Sequence, residues 1–160
     1  MNIVLFEPEM PMNTGNIGRT CVATNTRLHL IEPLGFKLNE KAVKRAGLDY
    51  WDKLDVTVYS DFQDFLDRNP GAKIYMATTK APKTYTDVEY EPDCYIMFGK
   101  ESAGIPEEIL VDAMGLRAFT LFKQKKMAIF FIFSMLSVFF AVSFSEVCLL
   151  PFRVCRLRSN

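Results

Sequence analysis

Short apolar runs alternate with helix-like segments along the first two thirds of the chain. Residues 2–7 form the first such run, which contains β-branched and aromatic residues, ends at Pro8 and is typical of a buried strand. Further runs of this kind predict strands at residues 27–32, 55–59, 73–78 and 94–98. Because strands that alternate with helices are typical of βαβ units, the pattern predicts an α/β domain with a mostly parallel sheet flanked by helices.

Helix signals fill the spaces between these strands. Asn13 would cap a first helix that runs to about residue 25. A short helix is predicted at residues 39–45, and Asp61 would cap another that places three apolar side chains on one side. Pro106, followed by two acidic residues, is typical of a further helix start.

Charge, cysteine and histidine content limit the possible functions. The 19 basic and 19 acidic residues give a formal net charge of +0, so a nucleic acid would have to be bound by a local patch. The four cysteines form no Cys-x-x-Cys pair, and the single histidine, His29, lies in a predicted strand, where we interpret it as a core residue. We therefore predict no metal site and a reducing, cytoplasmic location. Residues 1–6 lack the features of a signal peptide.

Residues 11–19, Pro-Met-Asn-Thr-Gly-Asn-Ile-Gly-Arg, are the strongest candidate for an active site. Glycine costs about 1 kcal/mol relative to alanine inside a helix, so two glycines are unfavourable for a purely structural helix. Asn16 and Arg19 are three residues apart and would share one helix face. An ordinary capped helix would explain Asn13 and Ile17, but it would not explain Arg19 beside a second asparagine and two glycines.

A basic and aromatic cluster follows at residues 39–51. Its side chains could form an ordinary solvated surface. They could also bind phosphates and stack a base, because lysine and arginine supply affinity for nucleic acid and aromatic rings provide a stacking surface. The sequence leaves both interpretations open.

Three polar loops are predicted at the carboxyl ends of strands, after residues 6, 78 and 98. Ligands of parallel α/β sheets bind at that edge, so we expect the three loops to converge on one site. The loop at residues 99–104 has a glycine at each end, which would let its backbone approach a ligand closely. It lacks the Lys-Ser/Thr of a P-loop, and no Gly-x-Gly-x-x-Gly follows the first strand.

Three segments in order resemble the SPOUT superfamily of methyltransferases. They are Asn-Thr-Gly-Asn-Ile-Gly-Arg at 13–19, Arg-Ala-Gly-Leu-Asp-Tyr at 45–50 and Phe-Gly-Lys-Glu-Ser-Ala-Gly-Ile-Pro at 98–106. Within the superfamily they are most similar to small enzymes that methylate the ribose 2′-hydroxyl of the wobble nucleotide in certain leucine tRNAs. The resemblance, over residues 1–112, implies an S-adenosylmethionine-dependent enzyme acting on tRNA. It also implies a homodimer with its active site at the subunit interface and a C-terminal trefoil knot, a rare feature among folds.

The resemblance further implies roles for individual residues. Arg19 would face the target ribose and stabilise the developing 2′-oxyanion, and Asn16 would fix that geometry by hydrogen bonding. Glu101 would position Arg19 or the hydroxyl, or it would only cap the following turn. The implied cofactor-binding residues are Ala77, Thr78, Gly99, Glu101 and Gly104. We further predict that Asn13 and, from the basic and aromatic cluster, Lys41, Lys44, Arg45 and Tyr50 bind the substrate.

The last quarter of the chain departs from the family pattern. The third motif of the family is a strand followed by a loop of the type Ser-Leu-Asn-Leu-Ser-Asn, but no asparagine occurs between Asn69 and Asn160. Residues 117–122 could supply the strand. Residues 127–145 contain no charged side chain and reach the length of a membrane-spanning helix. We therefore divide the chain into a methyltransferase-like domain, 1–122, and a divergent hydrophobic tail, 123–160.

Three explanations of the tail are considered, in our order of preference. They are a shift of reading frame near residue 113, a buried helix that replaces the closing helix of the knot, and a membrane anchor. A tail without the polar third loop would leave the cofactor pocket incomplete and impair the activity. The sequence thus keeps two alternatives to an active enzyme: a non-catalytic RNA-binding or dimerisation module, and a membrane-associated protein.

Overall fold

Strands and helices alternate throughout the part of the chain that the computed structural model describes, which is residues 1–38, 51–113 and 118–120. The strands are β1 (Asn2–Phe6), β2 (Arg27–Ile31), β3 (Val56–Tyr59), β4 (Ile74–Ala77), β5 (Tyr95–Phe98) and β6 (Ala118–Phe119). The helices are α1 (Pro11–Ala23), α2 (Phe62–Arg68) and α3 (Glu107–Ala113), with short 3-10 helices at Trp51–Lys53 and Tyr85–Asp87. The predicted elements are confirmed to within one or two residues at most of their ends.

The strands form one sheet in the order β3-β2-β1-β5-β4-β6, and all the strand pairs are parallel. This confirms the predicted α/β fold. The connection from β1 leads through α1 to β2 on one side, whereas the connection from β5 leads through α3 to β6 on the other side. The carboxyl ends of β1 and β5 therefore border the point where the strand order reverses, which is the place where α/β sheets bind ligands.

Side chains of the central strands are buried on both faces of the sheet. In β1, Ile3 and Leu5 join a core cluster with Cys21 of α1, whereas Val4 and Phe6 join a second cluster with Phe65 of α2. Successive side chains of a strand point to opposite faces, so two separate cores are expected when helices cover both sides. The double burial explains why β1 is a continuous apolar run.

Helix α1 begins earlier than the sequence predicted. The prediction that Asn13 caps this helix is wrong, because the N-cap is Met10 and its side chain makes no cap hydrogen bond. Pro11 occupies the first turn, where its fixed φ suits a helix and its missing N–H costs nothing. Asn13 therefore lies inside the helix, and its side-chain amide is available for another contact.

The other two helices begin as predicted. The carboxylate of Asp61 accepts a hydrogen bond of 2.8 Å from the backbone N–H of Asp64, which caps α2. Phe65 is fully buried under this helix, and its neighbours Phe62 and Leu66 are half-buried on the same side. Helix α3 follows Pro106 and has Glu107 and Glu108 in its first turn, which complements the helix dipole.

Strand β6 is hydrogen-bonded on both of its sides. Thr78, just after β4, donates its backbone N–H to Phe119 at 2.8 Å. On the other side Thr120 donates to Lys83 at 2.8 Å, and Tyr85 donates to Thr120 at 3.0 Å. The connection between β4 and β5 thus continues past β6 and lines its far side.

Several predictions fall outside the described residues. They are the helix at 39–45, the parts of the predicted last strand other than residues 118–120, the trefoil knot and the whole tail. Within the described ranges no helix is both long and apolar enough to cross a membrane.

Candidate functional site

Two polar loops lie side by side at the carboxyl edge of the sheet. The loop at residues 7–10 follows β1 and the loop at residues 99–104 follows β5. These strands are direct neighbours, with Leu5 paired to Phe98. The structure therefore brings the start of the segment at residues 11–19 close to the loop at residues 99–104, as the parallel sheet predicted.

The carboxylate of Glu101 binds the start of helix α1. It accepts hydrogen bonds from the backbone N–H groups of Glu9 at 2.8 Å and Met10 at 3.3 Å. It also accepts one at 3.2 Å from the side-chain amide of Asn13. These contacts give Glu101 a third role beside the two that the sequence suggested, since it anchors the chain that enters α1.

Glu9 makes the reverse contact, which the sequence analysis missed. Its carboxylate accepts hydrogen bonds from the backbone N–H of Ser102 at 2.9 Å and from the Ser102 hydroxyl at 2.8 Å. The bond from the Ser102 hydroxyl, followed by that from the Ser102 backbone N–H, lowers the pKa of Glu9 below its usual value. Two carboxylates thus cross between the loops in opposite directions.

The loop at residues 99–104 is folded tightly on itself. Lys100 and Gly104 exchange two backbone hydrogen bonds of 3.1 and 2.8 Å. A Cβ on Gly99 would lie 2.1 Å from the carbonyl carbon of Gly104, so the absence of a side chain at Gly99 is needed for the loop to close. Gly104 has a φ of +74° and open space where a Cβ would be. Of these two glycines, Gly104 is therefore the one whose backbone a ligand could approach from the Cβ side.

An ion pair lies at the base of the two loops. The ammonium group of Lys100 is 2.5 Å from a carboxylate oxygen of Glu7, and Glu7 has a φ of 47° in the left-handed region. Both side chains are partly shielded from solvent. The pair adds a third connection between the loop after β1 and the loop after β5.

Helix α1 presents a polar face beside the loops at residues 7–10 and 99–104. Asn16 and Arg19 are both exposed, as the shared face predicted, and Asn13 lies on the same helix nearer its start. A rise of 1.5 Å per residue puts Arg19 about 9 Å further along the axis than Asn13. The face therefore extends away from the contact between Asn13 and Glu101.

The end of β4 adjoins the β5 loop. Ala77 is paired with Phe98, so Thr78 and Gly99 each lie one residue beyond a paired strand end. Ala77 is buried and Thr78 is half-buried. Lys80 and Glu107 form an ion pair next to this edge, and the hydrogen bond from Lys80 lowers the pKa of Glu107. All the residues predicted to bind the cofactor thus lie in adjacent segments.

His29 lies in the core, away from these loops. It is 5% exposed, and its Nδ1 atom lies 2.9 Å from the hydroxyl of Tyr59, while Nε2 has no hydrogen-bond partner in the described structure. The aromatic rings of Tyr59, Phe65 and Tyr95 surround it. Burial lowers the pKa of His29 to about 4, so the ring is neutral at ordinary pH. The interpretation of His29 as a core residue is confirmed.

The predicted substrate residues of the middle segment, Lys41, Lys44, Arg45 and Tyr50, lie outside the described residues. Over residues 1–38, 51–113 and 118–120, no group of three or more histidine, cysteine or acidic side chains could hold a metal ion.

The parallel sheet, with polar loops converging where the strand order reverses, defines an α/β protein with a candidate ligand site at the carboxyl edge. Comparison with known families makes the assignment specific. The chain belongs to the SpoU rRNA methylase family, which it matches over residues 1–123.

Individual relatives are similar over about two thirds of the chain. A Lactococcus lactis protein assigned as a tRNA (cytidine(34)-2′-O)-methyltransferase is 49% identical over 113 residues, which cover 68% of this chain and 67% of the relative. The Escherichia coli tRNA (cytidine(34)-2′-O)-methyltransferase is 46% identical over 110 residues, 69% of this chain and 70% of the relative. The matches thus span about two thirds of the relatives' length.

A solved structure agrees with the fold. A Bacillus anthracis protein assigned as an RNA methyltransferase superposes with a TM-score of 0.82 at 32% identity, and the alignment covers 98% of this chain and 99% of that one.

Proposed function

We propose that the chain is an S-adenosylmethionine-dependent methyltransferase that modifies the ribose 2′-hydroxyl of nucleotide 34 in tRNA. The assigned activity of its relatives supports this substrate and this reaction. A cytoplasmic location and a homodimer with the active site at the subunit interface belong to the same proposal.

The observation that carries the proposal is the contact between Asn13 and Glu101. It joins the motif at residues 13–19 to the loop at residues 99–104 across 88 positions of sequence. Methyl transfer to a ribose requires a cofactor site and a polar group facing the hydroxyl to be close together. The contact supports such an arrangement, with the loop on one side and the polar face of α1 on the other.

The residues at the end of β4 and β5 fit a cofactor with a polar amino-acid part and a nucleoside part. The open space at Gly104 leaves its backbone accessible, and Gly99 lets the loop close beside Ala77 and Thr78. When bound there, S-adenosylmethionine would supply an electrophilic methyl group. Ala77, Thr78, Gly99, Glu101 and Gly104 would hold it.

Arg19 and Asn16 would act on the ribose. The guanidinium group of Arg19 carries a delocalised positive charge that would stabilise the negative charge developing on the 2′-oxygen. As the oxygen–methyl bond forms, the bond from the methyl group to the sulfonium sulfur breaks, which leaves S-adenosylhomocysteine, and the hydroxyl proton passes to water. Asn16, one turn away on the exposed face, would hold the hydroxyl in line with the methyl group. Glu101 would support both through its bonds to the start of α1.

The proposal also includes how tRNA is bound. Because the net charge is +0, the phosphates need a local basic surface, for which we propose Lys41, Lys44 and Arg45, with Tyr50 stacking a base. The domain at 1–122 would carry these groups, and the tail at 123–160 would lower the activity through its incomplete third loop.

The test is transfer of labelled methyl groups from S-adenosylmethionine to unmodified tRNA, with the modified nucleotide mapped after digestion. We expect a slow incorporation at position 34 and none into tRNA whose position 34 carries a 2′-deoxyribose. A faster reaction is expected when the tail is replaced by one that contains the third motif. Absence of transfer by both chains would overturn the proposal.

The non-catalytic module is the second candidate, and the missing asparagines of the tail are the observation in its favour. Calorimetry separates the two, because only the enzyme needs S-adenosylmethionine. If neither the wild-type chain nor the chain with the replaced tail gives a heat of binding with S-adenosylmethionine, while both bind tRNA, the protein is a non-catalytic module.

A further inference from the structure

Two crossed carboxylates connect the segment that enters α1 with the loop after β5. Glu101 reaches from the loop to the backbone of Glu9 and Met10, and Glu9 reaches back to Ser102. Each carboxylate accepts at least two hydrogen bonds. A bond in which an ionised group takes part is roughly twice as strong as a neutral one, so these contacts, together with the Lys100–Glu7 ion pair, connect the loops strongly.

The contact between Glu9 and Ser102 is the one that the proposed function does not use. The backbone of Glu9 is packed between two loops, because a Cβ on Gly35 would lie 2.7 Å from its Cα atom. The chain on that side is further fixed by the bond of 2.9 Å from the Gly35 N–H to the carbonyl of Pro8. The backbone of Glu9 is therefore held in place, and its carboxylate can act as a fixed acceptor for Ser102.

Ser102 lies at the outer turn of the loop, between Glu101 and Gly104. The backbone bonds between Lys100 and Gly104 close the base of the loop, and Glu101 is bonded to the entry of α1, but neither contact supports the turn at Ser102. The two bonds from Ser102 to Glu9 supply that support, through the backbone N–H and through the hydroxyl. Without them the turn would be held against the entry of α1 through Glu101 alone.

We propose that Glu9 is a positioning residue that acts through Ser102 to hold the loop at 99–104 against the entry of α1. This inference rests on the proposed function, because it concerns the alignment of a bound cofactor with the polar face of α1. Glu9 contacts neither substrate nor cofactor. A misplacement of about 1 Å between reacting groups can lower a rate by about a hundredfold, so a loop with a loosened turn lowers kcat.

The experiment compares Glu9→Ala, Ser102→Ala and the double variant with the full chain. We expect Glu9→Ala to lower kcat by about tenfold while KM for tRNA changes less than about threefold, since a bond to a charged group of this kind is removed. Ser102→Ala keeps the backbone bond and should lower kcat less. Because both residues act through one contact, the double variant should be no slower than Glu9→Ala. If the losses of kcat in the two single variants multiply in the double variant, the inference is overturned.

Conservative variants and a remote control separate positioning from general stability. Glu9→Gln keeps one acceptor oxygen and Ser102→Thr keeps both donors, so the first should recover part of kcat and the second nearly all of it. Glu89→Gln removes an exposed carboxylate elsewhere and should leave kcat unchanged. A loss of thermal stability in Glu9→Ala that accounts for the whole loss of activity would overturn the inference.

Hydrogen exchange gives a readout that does not need methyl transfer. The amide of Ser102 should exchange several-fold faster in Glu9→Ala, whereas the amides of Lys100 and Gly104 should not change. If neither the wild-type chain nor the chain with the replaced tail transfers a methyl group, the proposed function is overturned, and the exchange rates then decide the positioning alone. An unchanged Ser102 amide, or a faster one with unchanged kcat, would overturn the inference.

Discussion

Arg19 is exposed on the polar face of α1, so its side chain can be removed without opening a cavity in the core. We predict that Arg19→Ala lowers methyl transfer to tRNA by about 10²- to 10³-fold, the typical effect of losing one group that stabilises the transition state. Thermal unfolding should be unchanged. The control is Arg27→Ala, which removes an exposed arginine paired with Asp55 at the opposite edge of the sheet. Wild-type rates in Arg19→Ala would refute the role of this residue.

His29 makes the fold sensitive to acid. Its pKa is about 4 in the folded chain, whereas an unperturbed histidine has a pKa near 6.5. Because the folded pKa is the lower one, the contribution of the neutral ring is fully present above about pH 6.5 and is lost as the pH falls towards about 4. The linkage predicts a free energy of unfolding about 2 kcal/mol lower at about pH 5 than at about pH 8 from this group alone.

Urea unfolding at several pH values checks this prediction. His29→Phe keeps an aromatic ring in the cluster and leaves Tyr59 bonded to Asn69. The titration of carboxylates also changes stability, but it is common to both proteins. The wild type should therefore lose more stability than His29→Phe over this range, and parallel pH profiles would contradict the assignment.

Some residues of the site were predictable from local sequence and others were not. Asn16 and Arg19 share a helix face because of their spacing alone. The cap at Asn13 was wrong because Pro11 can itself begin a helix, and the two signals lie only two positions apart. Glu9 was missed because its partner Ser102 is 93 positions away. The available signal was the pair of acidic residues around Pro8, in a loop already expected at the ligand edge.

At the scale of elements, the loop at 99–104 is constrained by the close approach of Gly99 to Gly104. We predict that Gly99→Ala displaces this loop, because the new Cβ would lie 2.1 Å from the backbone of Gly104. Binding of S-adenosylmethionine, measured by calorimetry, should weaken by more than about tenfold, by analogy with other displaced binding groups.

The matched control is Gly71→Ala, in the turn after α2. Gly71 has a φ of +78° and open space around it, so its substitution introduces backbone strain without a clash. It should cost about 1 kcal/mol of stability and leave cofactor binding unchanged. Equal effects of the two substitutions on cofactor binding would show that a general loss of stability, rather than displacement of the closed loop, explains the weaker binding.

Element types were predictable because every described strand is buried on at least one face and contains β-branched or aromatic residues. The continuous apolar run of β1 and β5 is what a parallel sheet covered on both faces requires. The order of the strands was not predictable from these patterns. The insertion of β5 between β1 and β4 depends on long-range pairing, and no residue in β5 distinguishes it locally from the neighbouring strands.

At the scale of the whole molecule, zero net charge makes binding to a polyanion depend on local charge. We predict that replacing Lys41, Lys44 and Arg45 together by alanine weakens tRNA binding and flattens its dependence on salt. For every phosphate that is no longer neutralised, the slope of log affinity against log salt should fall by about 0.7 to 0.9. A triple alanine variant of Lys37, Lys53 and Lys73 has the same net charge and should keep most of the slope. An unchanged slope in the first variant would exclude this surface.

We propose that the tail at residues 123–160 lowers the efficiency of the enzyme. Its missing polar loop would leave donors or acceptors of the cofactor unpaired, at about 1–3 kcal/mol each. Two such unpaired groups weaken S-adenosylmethionine binding by about a hundredfold. We predict that a tail containing Arg-Ser-Leu-Asn-Leu-Ser-Asn, grafted after Phe122, restores binding in calorimetry. Micromolar affinity of the unmodified chain would show that residues 123–160 complete the pocket in another way.

The position of β6 has a consequence for the synthesis of the chain on the ribosome. Translation produces β4, then the segment at residues 83–85, and then β5, all before residues 118–120. The two backbone edges between which β6 is hydrogen-bonded therefore exist before β6 itself. Until that strand emerges, backbone groups of Thr78, Lys83 and Tyr85 have no partner there. A nascent chain halted before residue 118 therefore exposes two unpaired backbone edges, of the kind that recruit foreign strands.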